Sequence, residues 1–203
     1  IENQLFDTIY HEHFSYLSFH SVNKILMSAG LEIFAAEEIP THGGSLRVFS
    51  RLTKTGESEN ITATEEIIEY EKSVGVTESI YYRDFQKVAE NCRDLFLDFL
   101  SMNEDKRIAG YGAAAKGNTF LNFAEITKES ISYVVDRNTE KIGKYLPGSL
   151  LPIEPEEKLK EDKPDHVLLL PWNIADELVS QLDYVKQWGG NLFTAVPSLR
   201  FYE

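Results

Sequence analysis

Tyr10-His11-Glu12-His13 is the densest polar cluster in the chain. Histidine takes up a proton near neutral pH, glutamate orients or strengthens such a base, and tyrosine donates a hydrogen bond to a developing oxyanion. In an extended segment His11 and His13 share one face, and Tyr10 and Glu12 the other. Acid–base chemistry is one use of this set, ligation of zinc or iron is a second, and plain surface or packing roles are the third. No H-E-x-x-H helix pattern accompanies it. His42-Gly43-Gly44-Ser45-Leu46-Arg47 forms another cluster. There His42 and Arg47 reach an anionic substrate if the turn faces a pocket; otherwise Arg47 is a surface charge. The stretch Gly110 to Gly117 reads GYGAAAKG. Small residues at a strand-to-helix transition let backbone amides approach an anion, and Lys116 adds a point charge for phosphate. The spacing G-x-G-x-x-A falls short of the dinucleotide fingerprint, although Asp136 lies about 25 residues on, where a strand end grips a ribose. Tight packing, anion or nucleotide binding, and an NAD site are all open from these residues.

The surrounding elements must position these groups. Residues 4–13 read as a short strand or extended segment running into a loop. Ser18 to Ser21 cap a helix with Val22, Ile25, Leu26 and Ala29 on its apolar side, ending at Gly30. Residues 31–39 and 45–52 read as strands joined through the glycine-rich turn. A polar link, Lys54 to Asn60, precedes a helix over 62–73 that breaks near Gly75. Residues 79–100 carry Tyr81, Phe85, Val88, Cys92, Leu95, Phe96 and Phe99 at helical spacing, which predicts one helix of about six turns. From Lys106 strand and helix alternate. Strands are expected at 107–111, 131–135, 167–170 and 191–196, with a Pro-Gly turn inside 143–153. Helices follow Gly117, with Phe120, Leu121 and Ala124 inward, begin near Pro155, and run over 174–188. Continuous apolar strands between helices indicate a parallel sheet covered on both faces. The expected fold class is α/β, with residues 106–196 a compact, doubly wound parallel sheet.

Composition narrows the function. With 203 residues, 33 acidic against 20 basic side chains and a net charge of -13, the chain lacks the basic footprint of a general nucleic-acid binder. The single cysteine, Cys92, excludes an intrachain disulfide and reads as buried filler of a helix. Residues 165–171 are the longest strongly apolar run, far short of a membrane span, and the opening residues show no signal-peptide pattern. His20 is expected on the first helix and His166 beside a strand entrance. The first residue is isoleucine, so the chain is expected to begin partway through a protein.

Read in order, the clusters resemble the C-methyltransferases that act on nucleotide-linked deoxysugars. The matching phrases are FDTIYHEHFSYLS (Phe6 to Ser18), AGLE with EEIPTHGGSLRVF (Ala29 to Phe49), GYGAAAKGNTFLN (Gly110 to Asn122), VVDRNTEKIGKYLPG, HVLLLPWN and GGNLFTAVP. The resemblance covers essentially the whole chain. It implies that residues 1–54 are the tail of a class I methyltransferase domain, contributing its terminal strands. Residues 55–203 would be a Rossmann-like C-terminal domain with leading helices over 62–100. It implies C-methylation of a 4-keto-6-deoxy sugar on a nucleoside diphosphate, at C3, with S-adenosylmethionine as donor and an enolate intermediate. His13 would be the general base, Tyr10 would steady the enolate oxygen or shuttle a proton to it, and Glu12 would support the base or bind a sugar hydroxyl. His11, His42, Arg47 and Lys116 would contact the substrate. The donor site and a zinc-binding lobe would lie upstream, with those domains as partners, and no metal is expected in this chain. A cytoplasmic enzyme is expected, with neither nucleic acid nor membrane as partner. A non-catalytic nucleotide or sugar-nucleotide module, and an NAD-dependent oxidoreductase domain, are the alternatives.

Overall fold

A computed structural model describes residues 4–41, 44–53 and 62–202. The chain divides into two compact units, one over Phe14–Phe85 and one combining Glu2–His13 with Gln86–Glu203. The first unit contains α1 (Phe19–Ser28), β1 (Leu31–Ile39), β2 (Ser45–Leu52), α2 (Thr62–Val74) and a 3-10 turn, Ser79–Tyr82. The Ser18 hydroxyl caps α1 by accepting the Ser21 amide. Buried Glu71 of α2 accepts the amides of Phe19 and His20 at 2.7 and 2.8 Å. These are the amides that a helix leaves without internal partners, at the end where negative charge is favoured. Gly30, at φ 73°, turns the chain into β1. The two strands pair antiparallel from Leu31↔Leu52 to Ile39↔Ser45, with an irregularity between Ile33 and Ala35. The expected link over 54–60 lies outside the described residues.

The single helix expected over 79–100 is interrupted. The Tyr82 hydroxyl donates to the Val76 carbonyl at 2.8 Å, which ties the 3-10 turn back toward the end of α2. A separate helix, α3 (Phe85–Met102), follows. Its buried side is Ala89, Cys92, Phe96 and Leu100, whereas Val88 and Leu95 are exposed.

In the second unit the elements after α3 are β3 (Ile108–Tyr111), α4 (Ala115–Phe123), β4 (Val134–Val135), β5 (Ile153–Glu154), α5 (Glu157–Asp162), β6 (His166–Leu169), α6 (Ala175–Gln181), β7 (Asn191–Thr194) and β8 (Arg200–Tyr202). They form a six-stranded sheet in the order β5-β4-β3-β6-β7-β8, parallel except for β8. Register sorts the side chains onto two faces. Ala109, Val167 and Leu192 align across the sheet and cluster with Leu159 of α5 and Leu178 of α6. Gly110, Leu168 and Phe193 align on the other face, where Phe96 of α3 meets Phe120 of α4 and Phe193 of β7 at 5.2 and 6.4 Å. Helices therefore cover both faces, as the continuous apolar strands predict.

Two details differ from expectation. The helix expected over 174–188 is α6 flanked by 3-10 turns at Trp172–Ile174 and Asp183–Trp188. A three-residue bond from the Val185 amide to the Leu182 carbonyl tightens its end. The last strand is β8, an antiparallel edge that periodicity did not indicate.

Candidate functional site

The segment carrying Tyr10 to His13 is neither a strand nor extended. Its amides close turns instead: Ile9 donates to the Phe6 carbonyl at 3.3 Å and His13 to the Tyr10 carbonyl at 3.0 Å. The second turn corrects the alternation expected for an extended segment. It sets the Tyr10 and His13 rings side by side, with centroids 4.3 Å apart. His13 Nδ1 lies 2.9 Å from the Thr8 carbonyl oxygen. A carbonyl can only accept, so Nδ1 carries the hydrogen and the neutral ring keeps its lone pair on Nε2. His11, Glu12 and His13 are exposed and Tyr10 half-buried, which is the accessibility a base needs toward an external substrate.

Strand order changes direction between β3 and β6, the switch point at which open α/β sheets hold ligands. The loop Gly112–Ala114 leaves β3 there and Leu170-Pro171-Trp172 leaves β6. Gly112 of the first loop and Gly117 of α4 serve packing. A Cβ on Gly117 would lie 2.5 Å from the Leu170 Cβ, and one on Gly112, at φ 87°, would lie 2.5 Å from Pro171. Asp136 is turned onto the same loop. It accepts the Ala113 and Asn138 amides at 2.8 Å each and the Lys141 ammonium at 3.1 Å. Burial alone would raise its pKa, but these donors outweigh burial and hold it below the usual carboxylate range. The amide and carboxylate that would meet a pyrophosphate and a ribose are bound to each other.

The crevice beside this loop is filled from within the unit. Asp7, 1% exposed, accepts the Trp172 indole N–H at 2.6 Å. The buried Lys116 ammonium stands 4.7 Å from the centroid of the same indole ring. Burial lowers the Lys116 pKa, partly opposed by the Asp7 charge. The space left among Asp7, Lys116, Leu170, Trp172 and Val196 is about 10 Å³, whereas a small-molecule site has roughly 300–1,000 Å³. Sequence reasoning missed Asp7 and Trp172. Their only signal was that each sits in a long phrase of the resemblance.

Arg47, in the unit with the hairpin, pairs across strands with Glu37 at 2.7 Å, and both side chains are about half exposed. His42 lies outside the described residues. The buried Cys92 thiol donates to the Ala195 carbonyl at 3.1 Å, and burial pushes its pKa up to about 11, the state of an inert filler. Glu156 gathers the hydroxyls of Tyr111 and Tyr184 and the Arg137 guanidinium, tying β3 to α5 and the turn after α6. Among the described residues no three histidine, cysteine or acidic side chains come together to hold a metal, and no helix is long and apolar enough to cross a membrane.

The C-methyltransferase C-terminal domain family matches residues 40–197. The C-methyltransferase NovU of Streptomyces niveus is 34% identical over 202 residues, 98% of this chain and 48% of its own length. The chain thus spans about half the length of the curated relative it matches.

Proposed function

The chain belongs to the C-methyltransferase family, whose C-terminal domain it carries, and on that premise we propose that its enzyme methylates C3 of a 4-keto-6-deoxy sugar borne on a nucleoside diphosphate. The C4 ketone acidifies the neighbouring C3 proton. His13 Nε2 takes that proton, and the Tyr10 hydroxyl beside it donates to the oxygen on which the enolate charge collects. C3 is then the carbon nucleophile that C-methylation requires. Glu12, next to His13 in sequence and exposed, supports the base or binds a sugar hydroxyl. His11, His42 and Arg47 are further candidate contacts to the anionic substrate. The observation carrying this reading is the Tyr10–His13 turn, in which the Thr8 carbonyl fixes the imidazole with Nε2 basic.

S-adenosylmethionine is the proposed methyl donor. The filled crevice at the switch point does not fit it, so no residue of this chain is assigned a contact with the donor. We assign the donor site, and the zinc lobe, to upstream domains of the enzyme. The hairpin β1–β2 supports that division, because most of its residues are exposed or half-buried. It is proposed to complete the sheet of a class I methyltransferase domain. The same filling leaves a nucleotide module or an NAD-dependent oxidoreductase no open site at the switch point.

The test is carried out on the full-length enzyme. His13→Ala should lower turnover of a 4-keto sugar nucleotide by roughly 10²- to 10⁴-fold, and should abolish deuterium wash-in at C3 when no donor is present. Tyr10→Phe should slow both by a smaller factor. Normal wash-in by His13→Ala rules out His13 as the base.

A further inference from the structure

The Tyr10–His13 turn is anchored by the residues just before it. Phe6 packs on Phe120 and Phe123 of α4, with centroids at 6.2 and 5.2 Å. Asp7 enters the switch-point crevice and receives the Trp172 indole N–H at 2.6 Å, while its Oδ1 makes no hydrogen bond. Trp172 opens the 3-10 turn that follows β6, so the donor that receives Asp7 is set by a central strand of the sheet. One residue after Asp7, the Thr8 carbonyl accepts Nδ1–H of His13 at 2.9 Å. Trp172, Asp7, Thr8 and His13 thus stand in series.

A carboxylate buried with one oxygen lacking a hydrogen bond is costly, since each unmade bond leaves its desolvation uncompensated. Native structures keep few such groups. This one holds the peptide whose carbonyl orients an imidazole. We propose that Asp7 and Trp172 are positioning residues for His13: their hydrogen bond fixes the Thr8 carbonyl, and with it the Nδ1–H tautomer and the direction of Nε2. The catalytic consequence rests on the reading of His13 as the base; the tautomer does not.

Both parts are read on the full-length enzyme labelled with ¹⁵N-histidine, with His13 assigned by its loss in His13→Gln. Trp172→Phe keeps an aromatic ring beside Lys116 and removes the indole N–H along with part of the ring, a loss of volume that Asp7→Leu does not share. The expected result is that the His13 ring signals move from one tautomer to a mixture. At the same time kcat falls roughly ten- to a hundredfold, with KM for the sugar nucleotide changed less than about twofold. Asp7→Asn still offers an oxygen to the indole and should retain the tautomer and most of kcat. Asp7→Leu removes the acceptor from the other side and should behave as Trp172→Phe, which covers a failure of the latter to fold. Tyr184→Phe deletes a hydrogen bond to Glu156 elsewhere in the unit and should leave both readouts unchanged. A single retained tautomer in Trp172→Phe and Asp7→Leu overturns the proposal. A mixed tautomer with normal kcat upholds the positioning and overturns His13 as the base.

Discussion

Two buried aspartates of the second unit behave oppositely. Burial raises the Asp7 pKa, and the bond from Trp172 and the charge of Lys116 do not offset it. Burial pulls Asp136 the same way, but two amides and Lys141 overcome it and the pKa ends below its ordinary 3.8. The folded form of Asp136 therefore binds its proton less readily than the unfolded chain. Its contribution to stability is present above pH 3.8 and is lost as pH falls through the lower folded value. Asp7 has the reverse sign, and its contribution weakens as pH rises past 3.8 toward the raised folded value. Trp172 and Trp188, the chain's two tryptophans, both lie in this unit, so their fluorescence follows its unfolding in urea. Asp136→Asn should lower stability at pH 7 by about 1–3 kcal/mol. The difference from wild type should shrink as pH falls from about 5 to 3. A constant difference across that range would mean that Asp136 carries no shift.

At the scale of elements, the small residues around β3 and α4 decide how closely helix and strand approach. Gly117 has ordinary backbone angles, yet any Cβ there meets the Leu170 side chain at 2.5 Å. Gly117→Ala should destabilise the unit by roughly 1–3 kcal/mol through overpacking. Adding Leu170→Ala should recover part of that loss, because the two changes share one space. Gly143→Ala has the penalty of its φ of 80° but meets nothing within 4 Å, and should cost less. Urea midpoints of the three variants check the order.

The same region shows what could be read from sequence. Ile108 to Tyr111 and Val167 to Leu170 announced parallel strands because both faces of the sheet are covered. Phe120, Leu121 and Ala124 announced the inner side of α4, and all three are buried. The hairpin was legible from alternation and its glycines. The break before Phe85 was not: a tyrosine hydroxyl reaching back to Val76 accompanies it, a contact that no helical period encodes. The Tyr10–His13 pairing escaped for a related reason. Alternation assigns faces only once the backbone is extended, and here a turn decides the neighbours. Arg200 to Tyr202 is too short a run to stand out, and its strand exists only because β7 offers an edge.

The second unit keeps the strand order of an open α/β sheet, and its switch-point crevice is filled. Its strand order, its small-residue loop and its acidic residue after β4 all occur in the expected places. Their polar groups are consumed internally, and the crevice holds Asp7 and Trp172. Titration of the chain with NADH should accordingly give no saturable fluorescence change into the millimolar range. A saturable change at micromolar NADH would mean that the crevice opens at little cost.

Asp7 and its neighbours can also be regarded as a ligand that never leaves. A group joined to its site by a short stretch of chain is present there at an effective concentration on the order of millimolar or above. Any diffusible anion seeking the crevice competes against that fixed local concentration, however scarce or abundant the metabolite is. Conversely, whatever pulls residues 5–8 out of the crevice releases the Thr8 carbonyl from its anchor. On the proposed positioning role, occupancy of the switch-point crevice is thereby converted into control over the orientation of one imidazole.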